Sequence, residues 1–269
     1  MPTFVITGAN RGIGFEFLRQ LSATPESLVI GLVRNKAAAD EKVTKELPGR
    51  NIRIIQADLT DYDSLKQAAD AVGQLSNGVD MLIANATLHS EWSSFHGLDV
   101  LTKEPERLGT ELLENFTVNV IGNIHLLSLF VPLVRKGVTK KVITLTSGGA
   151  DSEFISRYEV TTQMPYAVSK AAMNAATAKF SAQYRKEGIL FMSISPGVVD
   201  TGGLAKATPE QLAGLGDMLQ KFTLYDPSFK GPMPIEKSVG AMLGVIERAN
   251  VNNGHAGAFV SHHGNKHWL

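Results

Sequence analysis

Short runs rich in Val and Ile alternate with longer amphipathic segments along almost the whole chain of 269 residues. The short runs mostly lack an alternation of apolar and polar residues, which is typical of strands that are buried on both faces. Regular alternation of such strands with helices predicts an α/β fold, in which one parallel sheet carries helices on both faces. The predicted strands are 3–6, 28–33, 52–56, 81–84, 141–146, 189–195 and 258–261.

The amphipathic segments predict the helices, and two glycines mark where helices end. Gly137 and Gly188 directly follow two of these segments, at positions where a helix C-cap favours glycine. No repeat, linker or low-complexity tract divides the chain, so we expect a single domain over residues 1–269. The predicted helices are 14–22, 64–75, 112–136, 167–187 and 236–249.

Two segments interrupt this alternation. Residues 87–109 form a long polar stretch, and residues 201–234 combine glycines and prolines with many large apolar side chains. A long apolar excursion from a compact domain predicts a lid over a substrate site or a partner surface. The alternative for 201–234 is a surface loop with a small helix of its own.

Composition narrows the classes of function. The 26 basic residues balance 26 acidic ones, so the chain has no net field that would attract nucleic acid or a membrane surface. The absence of cysteine excludes disulfides, thiolate metal sites and thiol nucleophiles. We expect no membrane span and no signal peptide, because apolar runs are short and the chain starts directly with a strand. These features favour a cytoplasmic enzyme or small-molecule binding protein.

The first predicted strand leads into a glycine-rich loop, Thr7-Gly8-Ala9-Asn10-Arg11-Gly12-Ile13-Gly14. Glycines here let the backbone turn tightly and approach a pyrophosphate, while the following helix offers free N–H groups and the positive end of its dipole. The position directly after a strand and at the start of a helix is the one that a dinucleotide-binding motif requires. A tight turn without a ligand is the alternative.

The spacing of Gly8, Gly12 and Gly14 after Thr7 resembles that of the classical short-chain dehydrogenase/reductase family. The resemblance covers essentially the whole chain. It implies a Rossmann-type doubly wound domain of about seven parallel strands, with a nicotinamide cofactor at the carboxyl ends of the strands. The cofactor-binding residues implied in this loop are Gly8, Asn10, Arg11, Gly12, Ile13 and Gly14.

Two arginines favour NADP(H) over NAD. About 20 residues beyond the glycine loop, where an acidic residue would bind the ribose 2′-hydroxyl of NAD, the chain has Arg34. A guanidinium can instead bind a 2′-phosphate through two hydrogen bonds. Arg11, inside the loop, resembles the second phosphate-facing cation of the family. The alternative is that both arginines are solvated surface charges.

Three further segments resemble cofactor-contacting parts of the family. Asp58-Leu59 matches the pair that contacts adenine, and Asn85-Ala86 matches the usual Asn-Ala-Gly, with Thr87 replacing the glycine. That replacement suggests a slightly different backbone beside the cofactor. The segment that would hold the nicotinamide carboxamide contains Pro196, Gly197, Val199 and Thr201.

Tyr166 and Lys170 match the Tyr-x-x-x-Lys of the family. Positions i and i+4 share one face of a helix, so the phenol and the ammonium can face the same cleft. A nearby cation favours phenolate, so we expect Lys170 to lower the pKa of Tyr166. The pattern occurs a second time at Tyr62 and Lys66, where a solvated helix face is the better interpretation because no matching context follows.

The resemblance assigns two more catalytic residues. Ser147 matches the serine that binds the substrate carbonyl, and Thr146 is a less favoured substitute because neighbouring strand residues face opposite sides. Asn119 matches the asparagine that supports proton resupply to the lysine. Asn115 and Asn123 lie four residues to either side, and we interpret them as helix-surface or interface groups.

The C-terminal residues resemble the tail of sniffer-type carbonyl reductases, a branch of the family, on the basis of Gly257-Ala258-Phe259, Gly264 and Trp268. Trp268 is interpreted as covering the pocket, as a subunit contact or as a packing anchor. Trp92 and Phe95 are candidate pocket aromatics. Histidines are frequent here, but we predict no metal site, since His262 and His263 would point apart on a strand and no carboxylate spacing supports them.

The predicted activity is reversible hydride transfer between NADPH and a carbonyl group of a mainly apolar small molecule. Tyr166 would donate the proton, Lys170 would bind the nicotinamide ribose, Ser147 would polarise the carbonyl and Asn119 would maintain proton resupply. The alternatives are an NADP-binding scaffold or sensor, and a non-redox isomerase or cyclase. The family also implies a homodimer or homotetramer that assembles through the helices at 112–136 and 167–187.

Overall fold

The computed structural model describes residues 1–202 and 209–269, which contain one sheet of seven parallel strands in the order β3-β2-β1-β4-β5-β6-β7. Each predicted strand is present, with ends within one residue of those expected, and the α/β fold class is confirmed. The strand order reverses between β1 and β4, and the crevice outside such a reversal is where α/β sheets bind ligands. The strands are β1 Thr3–Thr7, β2 Leu28–Val33, β3 Ile52–Gln56, β4 Met81–Ala84, β5 Lys141–Leu145, β6 Leu190–Ser195 and β7 Phe259–Ser261.

Helices cover both faces of the sheet and enclose two apolar cores. Helices α1, α2 and α10 pack on one face, and α3, α6 and α8 pack on the other. Helix α2 was not predicted from the sequence, because it is highly charged and Ala39 is its one buried residue. The α-helices are α1 Gly12–Leu21, α2 Lys36–Glu46, α3 Tyr62–Leu75, α4 Leu98–Leu101, α5 Pro105–Phe116, α6 Asn123–Lys136, α7 Ser152–Tyr158, α8 Met164–Tyr184, α9 Pro209–Tyr225 and α10 Ile235–Arg248.

The prediction of one regular helix over 112–136 is wrong in detail. A π-helical turn, Thr117–Gly122, joins α5 to α6. At its end, a Cβ on Gly122 would lie 2.3 Å from the Leu59 carbonyl oxygen, so the turn packs closely against the loop after β3. By length and composition alone, the stretch Pro105–Lys136 could cross a membrane, but half of its apolar window is buried in this fold, and core helices pass the same test.

The two helix-ending glycines have different structural reasons. Gly188 has a φ of +77°, the left-handed conformation expected at a helix C-cap. Gly137 has a φ of −69° and is not a left-handed cap. A Cβ at Gly137 would lie 2.1 Å from the Val79 carbonyl oxygen, so close backbone contact requires glycine there.

The two interrupting segments contain short or isolated helices. Helix α4 lies within 87–109, and α9 occupies much of 201–234, of which residues 203–208 lie outside the described structure. Met218 and Phe222 of α9 pack with Phe154 of α7 and with Trp268, and so form a third apolar cluster. Helix α9 is therefore fixed between α7 and the C-terminal residues.

Candidate active site

The glycine loop forms a narrow cradle at the carboxyl end of β1. Gly8 and Gly12 have positive φ values of +66° and +54°, and a Cβ on Gly14 would lie 2.2 Å from the Gly8 carbonyl oxygen. The N-cap residue of α1 has no side-chain hydrogen bond to the first turn, which leaves N–H groups open to a ligand. This cradle fits a pyrophosphate. Of the predicted loop residues, Gly8, Asn10 and Arg11 lie between β1 and α1, and Gly12, Ile13 and Gly14 form the first turn of α1.

Thr7 and Asn85 fasten this loop to the end of β4. The Asn85 side-chain amide donates to the Thr7 carbonyl at 2.8 Å. In return, the Thr7 hydroxyl accepts from the backbone N–H groups of Asn85 at 3.0 Å and Ala86 at 2.9 Å. Asn85 and Ala86 thus shape the cradle from beneath.

An open depression of about 570 Å³ lies at the end of β2, and Arg34 and Lys36 are among its lining residues. Arg34 is exposed, and Lys36 forms an ion pair with Asp40 one turn along α2. Arg11 is also exposed, on the glycine loop. The donors fit a phosphate group at the adenosine end of a dinucleotide.

Asp58 and Leu59 follow β3 on the same edge. The Asp58 carboxylate accepts from the backbone N–H and the hydroxyl of Thr60, at 2.9 and 2.8 Å. These bonds fold the loop back on itself and place Leu59 against Gly122. The adenine-contacting role of this pair stays a prediction.

The segment after β6 reaches the glycine loop. A Cβ on Gly12 would lie 3.9 Å from the Thr201 methyl carbon. Two backbone hydrogen bonds hold the segment, because Met233 N–H donates to the Val198 carbonyl at 2.8 Å and Asp200 N–H donates to the Met233 carbonyl at 3.0 Å. The predicted nicotinamide-holding residues Pro196, Gly197, Val199 and Thr201 therefore lie beside the predicted pyrophosphate cradle.

Helix α8 carries Tyr166 and Lys170 toward the end of β5. The Lys170 ammonium donates to the Leu145 carbonyl at 2.9 Å and lies 5.4 Å from the centre of the Tyr166 ring. Burial lowers the pKa of Lys170 to about 7 and raises the pKa of Tyr166 above its ordinary value. The pKa of the phenol is therefore shifted in the direction opposite to the one expected from Lys170, and burial is the cause of that shift.

The second Tyr-x-x-x-Lys pattern lies elsewhere. Tyr62 begins α3, is 49% exposed and packs edge-on against His125 at 5.1 Å. Lys66 is exposed as well. This copy is a surface feature.

Ser147 follows β5, two residues beyond the carbonyl that Lys170 contacts. Its hydroxyl accepts from Gly149 N–H at 3.1 Å and caps a short 3₁₀ turn. Gly148 N–H donates to the Ser195 hydroxyl at 3.0 Å, which ties the ends of β5 and β6 together. The alternative, Thr146, is 2% exposed and faces the interior.

Asn119 lies in the π-helical turn and is fully buried. Its amide donates to the Leu88 carbonyl at 2.9 Å and to the Ser169 hydroxyl at 3.0 Å, next to Lys170. Its oxygen accepts from the Thr87 hydroxyl at 2.9 Å. The threonine that replaces the usual glycine therefore adds a hydrogen bond to a predicted catalytic residue.

The interpretation of Asn115 and Asn123 as surface or interface groups is wrong. Both are buried, at 1% and 3% exposure. Asn115 donates to the Glu111 carbonyl at 2.9 Å, and Asn123 donates to the Asn119 carbonyl at 3.0 Å. The three asparagines form an internal polar column, which sequence spacing alone could not distinguish from an exposed one.

Sequence reasoning missed His89. This residue lies in the segment after β4, and its ring packs edge-to-face against Tyr166 with centroids 4.7 Å apart. A lone histidine in an irregular polar segment gives no periodic signal. Of the candidate aromatics nearby, Trp92 stacks on the Arg107 guanidinium at 4.2 Å, and the Phe95 carbonyl closely approaches Gly214 of α9.

The C-terminal histidines are arranged differently from the expectation. His262 and His263 follow β7, and their ring centres lie 3.9 Å apart instead of pointing away from each other. Within residues 1–202 and 209–269, no group of three candidate ligands could hold a metal ion. Trp268 is buried and stacks on Phe259 at 4.3 Å, and its Cβ would meet a Cβ on Gly148. It serves as a packing anchor against Gly148, the residue after Ser147.

Comparisons with known proteins agree with this arrangement. The model of the short chain dehydrogenase family matches residues 2–212, and the chain belongs to that family. It is 52% identical to the short chain dehydrogenase virK of Hypocrea virens and 46% identical to the short-chain dehydrogenase/reductase iacC of Pestalotiopsis fici, with 100% of each chain covered in both cases.

Two solved structures are similar over nearly the whole chain. The NADPH-bound carbonyl reductase from chicken fatty liver is 25% identical with a TM-score of 0.76, and 98% of each chain is covered. The carbonyl reductase Sniffer of D. melanogaster has the same TM-score and coverage at 22% identity, which shows the shared fold. The protein is thus an oxidoreductase-family member whose relatives in structure include carbonyl reductases of the sniffer type.

Proposed function

We propose that this protein is an NADPH-dependent carbonyl reductase that transfers hydride between NADP(H) and a carbonyl or secondary alcohol of a mainly apolar small molecule. The observation that carries the proposal is the bond from Lys170 to Leu145, at the end of β5. This bond brings the α8 face of Tyr166 and Lys170 to the strand end that Ser147 follows. In this proposal the phenol, the ammonium and the hydroxyl act together at the edge of the sheet that also carries the glycine loop, as reduction of a carbonyl requires.

Each residue has a role in this proposal. Bound NADPH supplies the hydride. The Ser147 hydroxyl orients the carbonyl oxygen, and Tyr166 donates its proton to that oxygen. Burial raises the pKa of Tyr166, so the phenol holds its proton at neutral pH until that proton is passed to the carbonyl oxygen as negative charge develops there. Lys170 is held for a cofactor hydroxyl, and Asn119 positions the helix that carries both groups.

NADPH is favoured over NADH by the cations at the end of β2. Arg34 and Lys36 line the open depression there, and Arg11 stands on the neighbouring loop. A dianionic 2′-phosphate gains charge-assisted hydrogen bonds from such donors, whereas a ribose hydroxyl gains little. The NADPH-bound chicken carbonyl reductase supports the same cofactor by analogy.

The test is oxidation of NADPH, with NADH in parallel, against a panel of aromatic ketones, α-diketones and quinones. We expect consumption of NADPH with at least about tenfold lower kcat/KM for NADH. Tight NADPH binding without consumption across the panel would contradict a reductase and favour a scaffold or sensor. Conversion of a small molecule without stoichiometric NADPH loss would favour an isomerase or cyclase.

We further propose that the protein assembles as a homodimer or homotetramer through α5, the π-helical turn and α8. Large apolar side chains are exposed on these elements, namely Leu113, Phe116, Ile121 and Val168. An apolar surface of this kind is stabilised by contact with a second copy. Size-exclusion chromatography with light scattering should give a mass of at least two chains, and Phe116→Glu should lower it.

A further inference from the structure

We propose that Gln163 is a positioning residue, which sets how the Tyr166 phenol is presented to the substrate. The inference rests on the proposed reductase function and concerns the proton donor of that same site. Gln163 caps the start of α8, three residues before Tyr166. In this role it acts through the residues that hold Tyr166 and not on the substrate itself.

The backbone of Gln163 has a conformation that residues with a side chain rarely adopt. Its φ is +62°, in the left-handed region. Two hydrogen bonds fix this conformation, because the Gln163 N–H donates to the Ser93 carbonyl at 3.0 Å and the Gln163 carbonyl accepts from the Ala167 N–H at 2.8 Å. The second bond closes the helical turn that contains Tyr166. Strained backbone persists where the surroundings over-determine it, and such residues cluster at functional sites.

The side chain of Gln163 contacts two other segments beside the candidate site. Its amide nitrogen lies 3.8 Å from the sulfur of Met218, in α9. Its second contact is a hydrogen bond with the ring of His89, in the segment after β4. Burial lowers the pKa of His89 and this bond raises it, so the bond favours the protonated ring and a ring N–H is the donor. The Gln163 amide oxygen is therefore the acceptor, while the amide nitrogen faces α9.

His89 extends this constraint to Tyr166. The two rings meet edge-to-face, with centroids 4.7 Å apart and an angle of 87° between the planes. Aromatic rings favour this arrangement, so the orientation of the imidazole restricts that of the phenol. Gln163 thus holds Tyr166 twice, through the turn closed at Ala167 and through the ring of His89. Proton transfer depends on such placement, since an error of about 1 Å can lower a rate by about 10²-fold.

The test compares two substitutions to glycine at left-handed positions. Gln163→Gly keeps the positive φ, which glycine adopts freely, and removes the side chain. Glu159→Gly makes the matched change at the exposed C-cap of α7, where φ is +53°. With the best substrate of the ketone panel, we expect Gln163→Gly to lower kcat by about tenfold and to leave the NADPH dissociation constant unchanged. Glu159→Gly should change neither quantity.

Gln163→Glu is the conservative variant. A carboxylate keeps the length of the side chain and an oxygen that can accept a hydrogen bond from His89. We therefore expect its kcat to lie closer to that of the wild type than the kcat of Gln163→Gly does. Equal losses of kcat in Gln163→Glu and Gln163→Gly would show that the acceptor oxygen does not position the donor, and the proposal would be overturned.

A measurement without turnover examines the contact between Gln163 and His89. In protein labelled with nitrogen-15 histidine, the His89 signals are assigned by their loss in His89→Phe and followed against pH. Burial and the charges of Lys170 and Glu111 act on this ring in every variant, so differences among the variants report the residue at 163. We expect the pKa of His89 to fall in Gln163→Gly, where the raising bond is lost, and to rise in Gln163→Glu, where a negative charge is added. An unchanged pKa in both variants would overturn the proposal.

The two proposals can fail separately. A wild-type kcat in Gln163→Gly would overturn the positioning role and leave the reductase standing. The same kcat loss in Glu159→Gly would assign the effect to a general loosening of the loop between α7 and α8, and would also overturn that role. If the wild type reduces no ketone, the reductase proposal fails and the role of Gln163 in its reaction fails with it. A loss of kcat confined to Gln163→Gly, at unchanged NADPH affinity, supports both.

Discussion

Asn119 donates a hydrogen bond to the Ser169 hydroxyl at 3.0 Å and thereby joins the π-helical turn to the helix of Tyr166 and Lys170. The same amide bonds Thr87 and Leu88, in the segment after β4. One buried side chain thus connects three parts of the active site. A single α-helical path through 117–122 would rotate this amide away, so the π-helical turn is part of the site.

Asn119→Ala should damage both stability and catalysis. It leaves several buried backbone and side-chain groups without partners, which we expect to cost about 2–4 kcal/mol of unfolding free energy. Loss of the link to Ser169 should also lower kcat by about tenfold while the NADPH dissociation constant changes little. Urea denaturation and steady-state kinetics measure both. Asn174→Ala, on α8 with an unpartnered amide oxygen, is the control and should change neither.

The two tyrosines in Tyr-x-x-x-Lys provide a matched pair. Tyr166→Phe removes the proposed proton donor and should reduce kcat by about 10²–10⁴-fold without loss of NADPH binding. Tyr62→Phe removes an exposed hydroxyl and should leave kcat unchanged. Both variants are compared by NADPH oxidation and by NADPH fluorescence titration. Wild-type turnover in Tyr166→Phe would contradict the assignment of the donor.

Arg34→Asp tests the cofactor preference. The substitution replaces a proposed phosphate ligand with a carboxylate that can bind a ribose hydroxyl, so NADPH affinity should fall at least about tenfold while NADH affinity holds or improves. Arg50→Asp is the control, because it makes the same change of charge in the turn before β3, at the opposite edge of the sheet from Arg34. It should change neither cofactor's affinity. Dissociation constants for both cofactors, measured at one salt concentration, decide the matter. An equal loss of NADPH affinity in the two variants would show that net charge, and not a specific contact with Arg34, causes the effect.

Most of the fold could be predicted from local sequence patterns. The strands are short apolar runs between turn residues, and the glycine loop follows β1 directly, so both are legible in sequence. Features that depend on residues distant in the chain could not be predicted in this way. The need for glycine at position 137 comes from the Val79 carbonyl, and the burial of Asn115 and Asn123 accompanies the packing of α5 and the π-helical turn against α8.

In the candidate site, too, some contacts could be predicted from the sequence and others could not. Tyr166 and Lys170 share a helix face, so their proximity follows from their spacing. The partner of the ammonium, the Leu145 carbonyl, is set by tertiary packing and could not be predicted. His89 contacts Tyr166 because the segment after β4 folds back against α8, and nothing in its neighbouring residues indicates that contact. Residues in irregular segments acquire their roles from the scaffold.

The buried ammonium of Lys170 predicts a pH-dependent stability. Its pKa falls from an ordinary 10.5 to about 7, so between these values the unfolded chain binds more protons than the folded one. The free energy of unfolding therefore rises with pH across this window, and the penalty is complete below pH 7. Such a shift corresponds to a destabilisation of about 5 kcal/mol at pH 7. Removing the lysine would relieve this cost but would also remove the hydrogen bond to Leu145, which stabilises the fold by about 1–2 kcal/mol.

Lys170→Met should accordingly stabilise the cofactor-free protein while abolishing turnover. At pH 7 we expect a gain of about 3 kcal/mol in unfolding free energy. The gain should shrink toward pH 10, because there the lysine of the unfolded wild-type chain also becomes neutral. Lys179→Met, an exposed position on the same helix, is the control and should show no gain and no altered slope. Urea denaturation at pH 7, 8.5 and 10 gives the comparison. A less stable Lys170→Met at pH 7 would show that the hydrogen bond to Leu145 outweighs the burial of the charge.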